Sequence, residues 1–212
     1  CDLTNITSTL NQKTLYIVRH GQTDYNLNGM VQGSGIDAPL NQTGRAQAQQ
    51  FFEAYKEHPF DKVYISSLQR TRQSVLGFLD FEIPYEELTG LNEISWGDQE
   101  GKPFTEEAST LYHQTVKDWQ AGKLTSNVGG GESPLEVMAR QQVAMKHILN
   151  QPAESEVLVC MHGRAMRILL TWLQNKPLTA MDQIEHANLG LYKVRVVGDQ
   201  VSILERNNTS HL

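Results

Sequence analysis

The sequence predicts an α/β fold, a three-layer sandwich with a mostly parallel central sheet flanked by helices, and two observations carry that prediction. Leu15-Tyr16-Ile17-Val18 and Val157-Leu158-Val159-Cys160 are unbroken apolar runs, the pattern of strands buried on both faces. Around them lie stretches whose apolar residues recur at helical spacing, so strand and helix alternate.

Taken in order, a polar extension over residues 1–13 precedes a single domain over 14–212. The first strand, Leu15-Tyr16-Ile17-Val18, ends in Arg19-His20-Gly21. Ala48, Phe51, Phe52 and Tyr55 then share one helical face. Val63-Tyr64-Ile65 is a third, shorter strand, and Leu68, Arg72, Val75, Leu76 and Leu79 line one face of the helix after it. Residues 105–123 break the rhythm with a helical pattern of their own (Ala108, Leu111, Tyr112, Thr115, Trp119) and read as part of an inserted cap, about residues 102–128. Ser133, Pro134 and Glu136 combine an N-cap, a proline at the first helical position and a capping-box acid, so a helix is expected over 134–150. The second buried strand ends in His162-Gly163 and leads into a helix with Met166, Leu169, Leu170 and Leu173 on one face. Residues 191–197 and 201–205 flank Gly198-Asp199 as a hairpin that closes one edge of the sheet.

Composition narrows the function. The 212 residues, 39% hydrophobic and 20% charged, suffice for one core and a pocket. A net charge of −6 argues against a nucleic-acid or anionic-membrane surface, so an anionic ligand must meet a local basic pocket. Cys1 and Cys160 cannot form a disulfide framework, and Cys160, inside an apolar run, reads as a buried free thiol, which points to a reducing, cytoplasmic setting. Cys1 stands where an initiator Met is usual. Trimming is the expected reason; a lipid-modified, membrane-tethered N-terminus is the alternative.

Both histidines stand where α/β sheets bind ligands, at the carboxyl ends of strands. If the two strands are neighbours, His20 and His162 converge where the helix opening at Gly163 presents free N–H groups to an anion. Arg19 and Arg70 can add forked donors suited to phosphate oxygens. Phosphate is the natural ligand.

At this point the residues resemble the histidine phosphatase superfamily, which includes cofactor-dependent phosphoglycerate mutases. Arg19-His20-Gly21-Gln22-Thr23 with Asn26 looks like its signature. Val31-Gln32-Gly33, Asp37-Ala38-Pro39-Leu40 and Thr43-Gly44 are similar to its next block, and Ser66-Ser67-Leu68-Gln69-Arg70-Thr71-Arg72-Gln73 to the block with its second arginine. Leu91-Asn92-Glu93-Ile94, with Gly97 and Glu100-Gly101, resembles its acid-bearing segment; Gly130-Gly131-Glu132-Ser133 and His162-Gly163 follow in order.

The resemblance implies a phosphoglycerate mutase-like fold and hydrolysis of a phosphomonoester. His20 would attack phosphorus, and Glu93 would serve as general acid and then base. Arg19, Arg70, His162 and Asn26, with Gly163, would hold the phosphoryl oxygens. No metal or other cofactor is called for, and the expected partner is a small phosphorylated metabolite. Oligomeric state stays open.

Other readings stand beside these. Asp98 and Glu100 are alternatives to Glu93. Arg45, Arg72 and Arg167 sit in helical patterns where solvated or paired roles are the default, and capping accounts for Ser133. A cysteine phosphatase would need an arginine where Met166 stands, and a zinc hydrolase would need compact ligand spacings that are missing. Mutase-type phosphotransfer is the main alternative, yet residues 92–122 offer only Lys102 and Lys117 to seat a second acidic group. A non-catalytic phospholigand-binding protein is the rival from another class. The chain departs from the common pattern at Gln22, Tyr25 and Arg164; Arg164 either adds positive charge near the leaving group or points to solvent.

Overall fold

The computed structural model describes residues 12–212; Cys1 and most of the predicted extension lie outside the described residues. The chain runs β1 (Gln12–Arg19), α1 (Asp24–Leu27), α2 (Gln42–Tyr55), β2 (Lys62–Ile65), α3 (Gln69–Ser74), α4 (Leu76–Asp80), β3 (Tyr85–Glu87), α5 (Glu106–Gln120), α6 (Pro134–Leu149), β4 (Glu156–Met161), α7 (Gly163–Leu173), β5 (Leu191–Val197) and β6 (Gln200–Asn208). The strands form one sheet in the order β3-β2-β4-β1-β5-β6. The β1–β4, β2–β4 and β2–β3 pairs are parallel, and the β5–β6 hairpin adds the antiparallel edge.

The unbroken apolar runs are the centre of this sheet because each strand meets a helical layer on either face. Leu15, Ile17, Val157 and Val159 pack on Met145 and Ile148 of α6 and on Met166, Leu169 and Leu170 of α7. Tyr16, Val18, Leu158 and Cys160 pack on Phe51 of α2 and Phe78 of α4. Burying such a side chain is worth about 1.5–3 kcal/mol, so alternation of polar residues here would cost a whole layer. Cys160 is a buried free thiol whose pKa burial pushes up.

Three boundaries differ from the sequence reading. β1 takes in Gln12 and Lys13; Lys13 is buried, and its ammonium donates to the carbonyls of Ile148 (2.6 Å) and Gln151 (3.0 Å) at the end of α6. The helix expected after β2 breaks at Val75, where φ is −121°. There Gly77 lies against the Phe52 ring, with no room for a Cβ. β3 is a three-residue edge strand too short to show a period. The long helix α6 opens as read, with the Ser133–Glu136 capping box and Pro134 in its first turn.

No described helix is long and apolar enough to cross a membrane.

Candidate active site

The parallel ladder pairs Arg19 of β1 with Met161 of β4, so the next residues, His20 and His162, stand side by side with ring centroids 5.2 Å apart. The His20 N–H donates to the Met161 carbonyl at 3.0 Å, which extends the ladder one step beyond the strands.

His20 is almost fully enclosed. Its Nδ1 lies 2.7 Å from the Gly21 carbonyl, which only accepts, so Nδ1 carries the hydrogen and Nε2 the lone pair. Burial first, then the charges of Arg70 and Arg19, hold its pKa well below the ordinary histidine value. The ring is neutral. Around it, Asn188 donates to the His20 carbonyl at 2.9 Å and the Gly21 N–H donates to Ser74 Oγ at 2.8 Å. Gly21 packs on the α2 start so closely that a Cβ would lie 2.7 Å from the Gly44 carbonyl oxygen.

His162 is wholly buried, its pKa lowered by burial and then by Arg70. Its Nε2 lies 2.8 Å from Ser66 Oγ; that oxygen accepts from the Leu68 N–H and lies 3.1 Å from Thr71 Oγ1, whose hydroxyl donates to the Leu68 carbonyl. With the Ser66 hydroxyl donating to His162 Nε2, the ring's own hydrogen lies on Nδ1. That Nδ1 is buried and has no protein partner.

The arginines show the same imbalance. Arg70, fully buried, donates to the carbonyls of Ile36 and Gly33, and Arg19 donates to the His186 carbonyl at 3.1 Å. Nε of each is buried without a partner. Burial lowers the Arg70 pKa to about 10, against the opposing pull of Glu93 and Asp37. Neutral carbonyls satisfy donors but do not cancel charge, so the pocket is left calling for an anion.

Glu93 is the nearby carboxylate and is buried. Its Oε1 accepts from the N–H groups of Ile94 and Ala165 (both 2.9 Å), and its Oε2 from that of Arg164 (3.1 Å). Two N–H groups at the start of α7, expected to face a ligand, are thus engaged by Glu93. Of the alternatives, Glu100 is folded under its own loop, Oε1 accepting from the Trp96 N–H at 2.9 Å, and Asp98 is exposed. Asn26 is joined to His20 through Asn188, which donates to the His20 carbonyl and to Asn26 Oδ1; that Oδ1 also accepts from the Thr23 N–H, so the amide NH2 is the group left to donate.

The family model of the histidine phosphatase superfamily (branch 1) matches residues 15–209. The chain belongs to this superfamily. Among curated relatives it is 27% identical to the "uncharacterized phosphatase PhoE" of Bacillus subtilis, covering 92% of this chain and 95% of that protein. It is 29% identical to a 2,3-bisphosphoglycerate-dependent phosphoglycerate mutase of Gloeobacter violaceus, covering 81% and 80%. The solved phosphoserine phosphatase of Entamoeba histolytica superposes with a TM-score of 0.82 at 22% identity, covering 94% and 99%, a likeness of fold.

Within this histidine phosphatase superfamily chain, several residues around the site escape sequence reading. Arg140, mid-helix in α6, donates to the carbonyls of Gly90, Asn92 and Glu93 while pairing with Glu132, which in turn accepts from the Ser95 N–H. This brace fixes the loop that carries Glu93. Asn188 gives no sequence signal, since it lies in a loop without period, and Ser66 is read only as part of the Arg70 block, with no role of its own. His186 packs under Gly163, and burial with Arg19 brings its pKa down to about 3.

Of the two courses read for Arg164, the structure excludes the one that points to solvent. The side chain is buried, donating to Asp182 Oδ1 at 2.8 Å and to the Tyr112 hydroxyl, with the Trp119 ring 5.4 Å away. Asp182 also accepts from Arg167 at 2.8 Å. Arg164 therefore ties cap helix α5 to the body of this superfamily domain. Among the described residues no group of three or more His, Cys, Asp or Glu side chains is placed to hold a metal.

Proposed function

We propose that the chain hydrolyses phosphomonoesters through a phosphohistidine on His20. The observation that carries this is the pair of guanidinium groups of Arg19 and Arg70, each with a buried Nε that has no partner and neither in contact with a carboxylate, beside a neutral histidine whose Nε2 keeps its lone pair. A phosphoryl dianion supplies the missing charge, and the His162 Nδ1–H, the Gly163 N–H, the two guanidinium groups and the Asn26 amide are the donors offered to its oxygens.

In the first step Nε2 of His20 attacks phosphorus in line and the P–O ester bond breaks. Glu93 gives its proton to the departing oxygen, so the alcohol leaves neutral. A carboxyl group has about four lone-pair positions. Oε1 uses two on N–H groups and Oε2 one, so Oε2 is the oxygen with room for that proton. In the second step water attacks the phosphohistidine, one of its protons returns to Glu93, and phosphate departs from neutral His20. The sum is ester plus water giving alcohol plus phosphate.

Relatives named as phosphatases and as mutases both occur. Hydrolysis is favoured because the cations that a second acidic group would need, Lys102 and Lys117, are exposed to solvent. The test is turnover of p-nitrophenyl phosphate in excess EDTA. The wild type is expected to turn over and form an acid-labile, alkali-stable phosphoenzyme; His20→Ala is expected to do neither. Activity retained by His20→Ala, or abolished by EDTA, defeats the mechanism.

A further inference from the structure

A cavity of about 200 Å³ lies between residues 29–32 and the cap, and its ten lining residues carry no charge. Met30, Val31, Trp96, Phe104, Tyr112 and Val128 make most of its wall. Its remaining polar side chain groups are amides and a phenol: Gln32, Gln99 and the Tyr112 hydroxyl.

The cavity wall is joined to both reacting loops. Gln32 accepts from the Thr23 hydroxyl at 2.8 Å, and Thr23 caps α1 three residues after His20. Trp96 stands three residues after Glu93, and the Tyr112 hydroxyl is held by Arg164, whose own N–H holds the Glu93 carboxylate. Because Glu93 protonates the departing oxygen, whatever is attached to that oxygen extends along the Glu93 loop.

Resting on the hydrolase reading above, we propose that this cavity is the leaving-group subsite, and that it selects phosphomonoesters whose alcohol is apolar and planar, such as an aromatic ring, and carries no second anion. The nearest buried cation does not contradict this, since Arg164 already shares Asp182 and Tyr112. An anionic leaving group would be desolvated against aromatic rings with no partner, which costs far more than burying a hydrocarbon of the same size gains. The exposed Phe104 at the rim, 44% accessible, supplies an apolar surface at the entrance.

The experiment compares kcat/KM for 2-naphthyl phosphate, 6-carboxy-2-naphthyl phosphate and methyl phosphate, all in EDTA. The naphthyl ester is expected to exceed its carboxylated partner at least 30-fold. Ala108→Trp, which fills the cavity, is expected to lower the ratio of naphthyl to methyl phosphate kcat/KM at least tenfold; Phe104→Ser, at an exposed position the fold tolerates, lowers it about fivefold, mainly through KM. Equal turnover of the two naphthyl esters, or a ratio unmoved by both variants, overturns the subsite and leaves the hydrolase intact. No turnover of any of the three removes the hydrolase reading as well.

Discussion

Around His20, Arg19 and Arg70 donate only to backbone carbonyls, whereas Arg164, beneath the cap, holds a carboxylate and a phenol. All three stand at the carboxyl end of the same sheet, and none of the differences between them is visible in the residue type. What separates them is charge balance. The first pair is left in excess by its surroundings and so fits an anion that comes and goes; the third is balanced by the fold and so holds structure together.

The largest effect that would break this comparison is on activity. Arg70→Met is expected to cut kcat/KM for an aryl phosphate about 10³-fold, about 4 kcal/mol of transition-state binding, while leaving thermal stability equal or higher, because a buried charge with no carboxylate in contact is removed. Kinetics and a melting curve on the same preparation test it. A fall in melting temperature without loss of activity would make Arg70 a structural residue.

Arg164→Met is expected to do the reverse. Removing it strips Tyr112 of its partner and leaves Asp182 with Arg167 alone, so urea denaturation should show a loss of about 2 kcal/mol. Arg167 keeps Asp182 paired, which is why the figure lies below that for an orphaned buried charge. An unchanged urea midpoint would mean that the cap is held by its apolar contacts and that the guanidinium adds nothing.

A last test sharpens the comparison through pH. His20, His162 and His186 all have lowered pKa values, caused first by burial and then by the arginines. Below the ordinary value of about 6.5 the unfolded chain takes up protons that the folded chain refuses, so stability is full above that pH and falls as pH drops beneath it. Each histidine contributes about 1.4 kcal/mol per pH unit, until the His186 contribution levels off near its folded value of about 3. Urea midpoints at pH 7.5 and pH 5.5 measure this, and equal midpoints would show that the histidines are not held neutral.

The layered sheet, both histidine-bearing strand ends and the capped start of α6 were legible because each rests on local pattern: apolar runs for strands buried on two faces, a capping box for a helix start. The same holds for the placing of His20, His162, Arg19 and Arg70 at one end of the sheet. Elements decided by distant partners were not legible. β3 is three residues long, and the break at Val75 is followed by Gly77, which lies against Phe52 on another helix. The role of Arg164 stayed between two alternatives because its partners, Tyr112 and Asp182, lie 52 and 18 residues away. Arg140 carried no sequence signal, because only the folded chain brings Gly90, Asn92 and Glu93 against it.

The β1–β4 ladder has a consequence in time. His20 and His162 are spaced by the hydrogen bonds of two central strands, which open only when the whole domain unfolds. The loop over residues 29–32 and the exposed rim of the cap at Phe104 are surface segments, which move on faster scales. Substrates can therefore enter and leave by the motion of one layer while the separation of the two histidines stays constant, so the enzyme does not have to rebuild its nucleophile at each turnover.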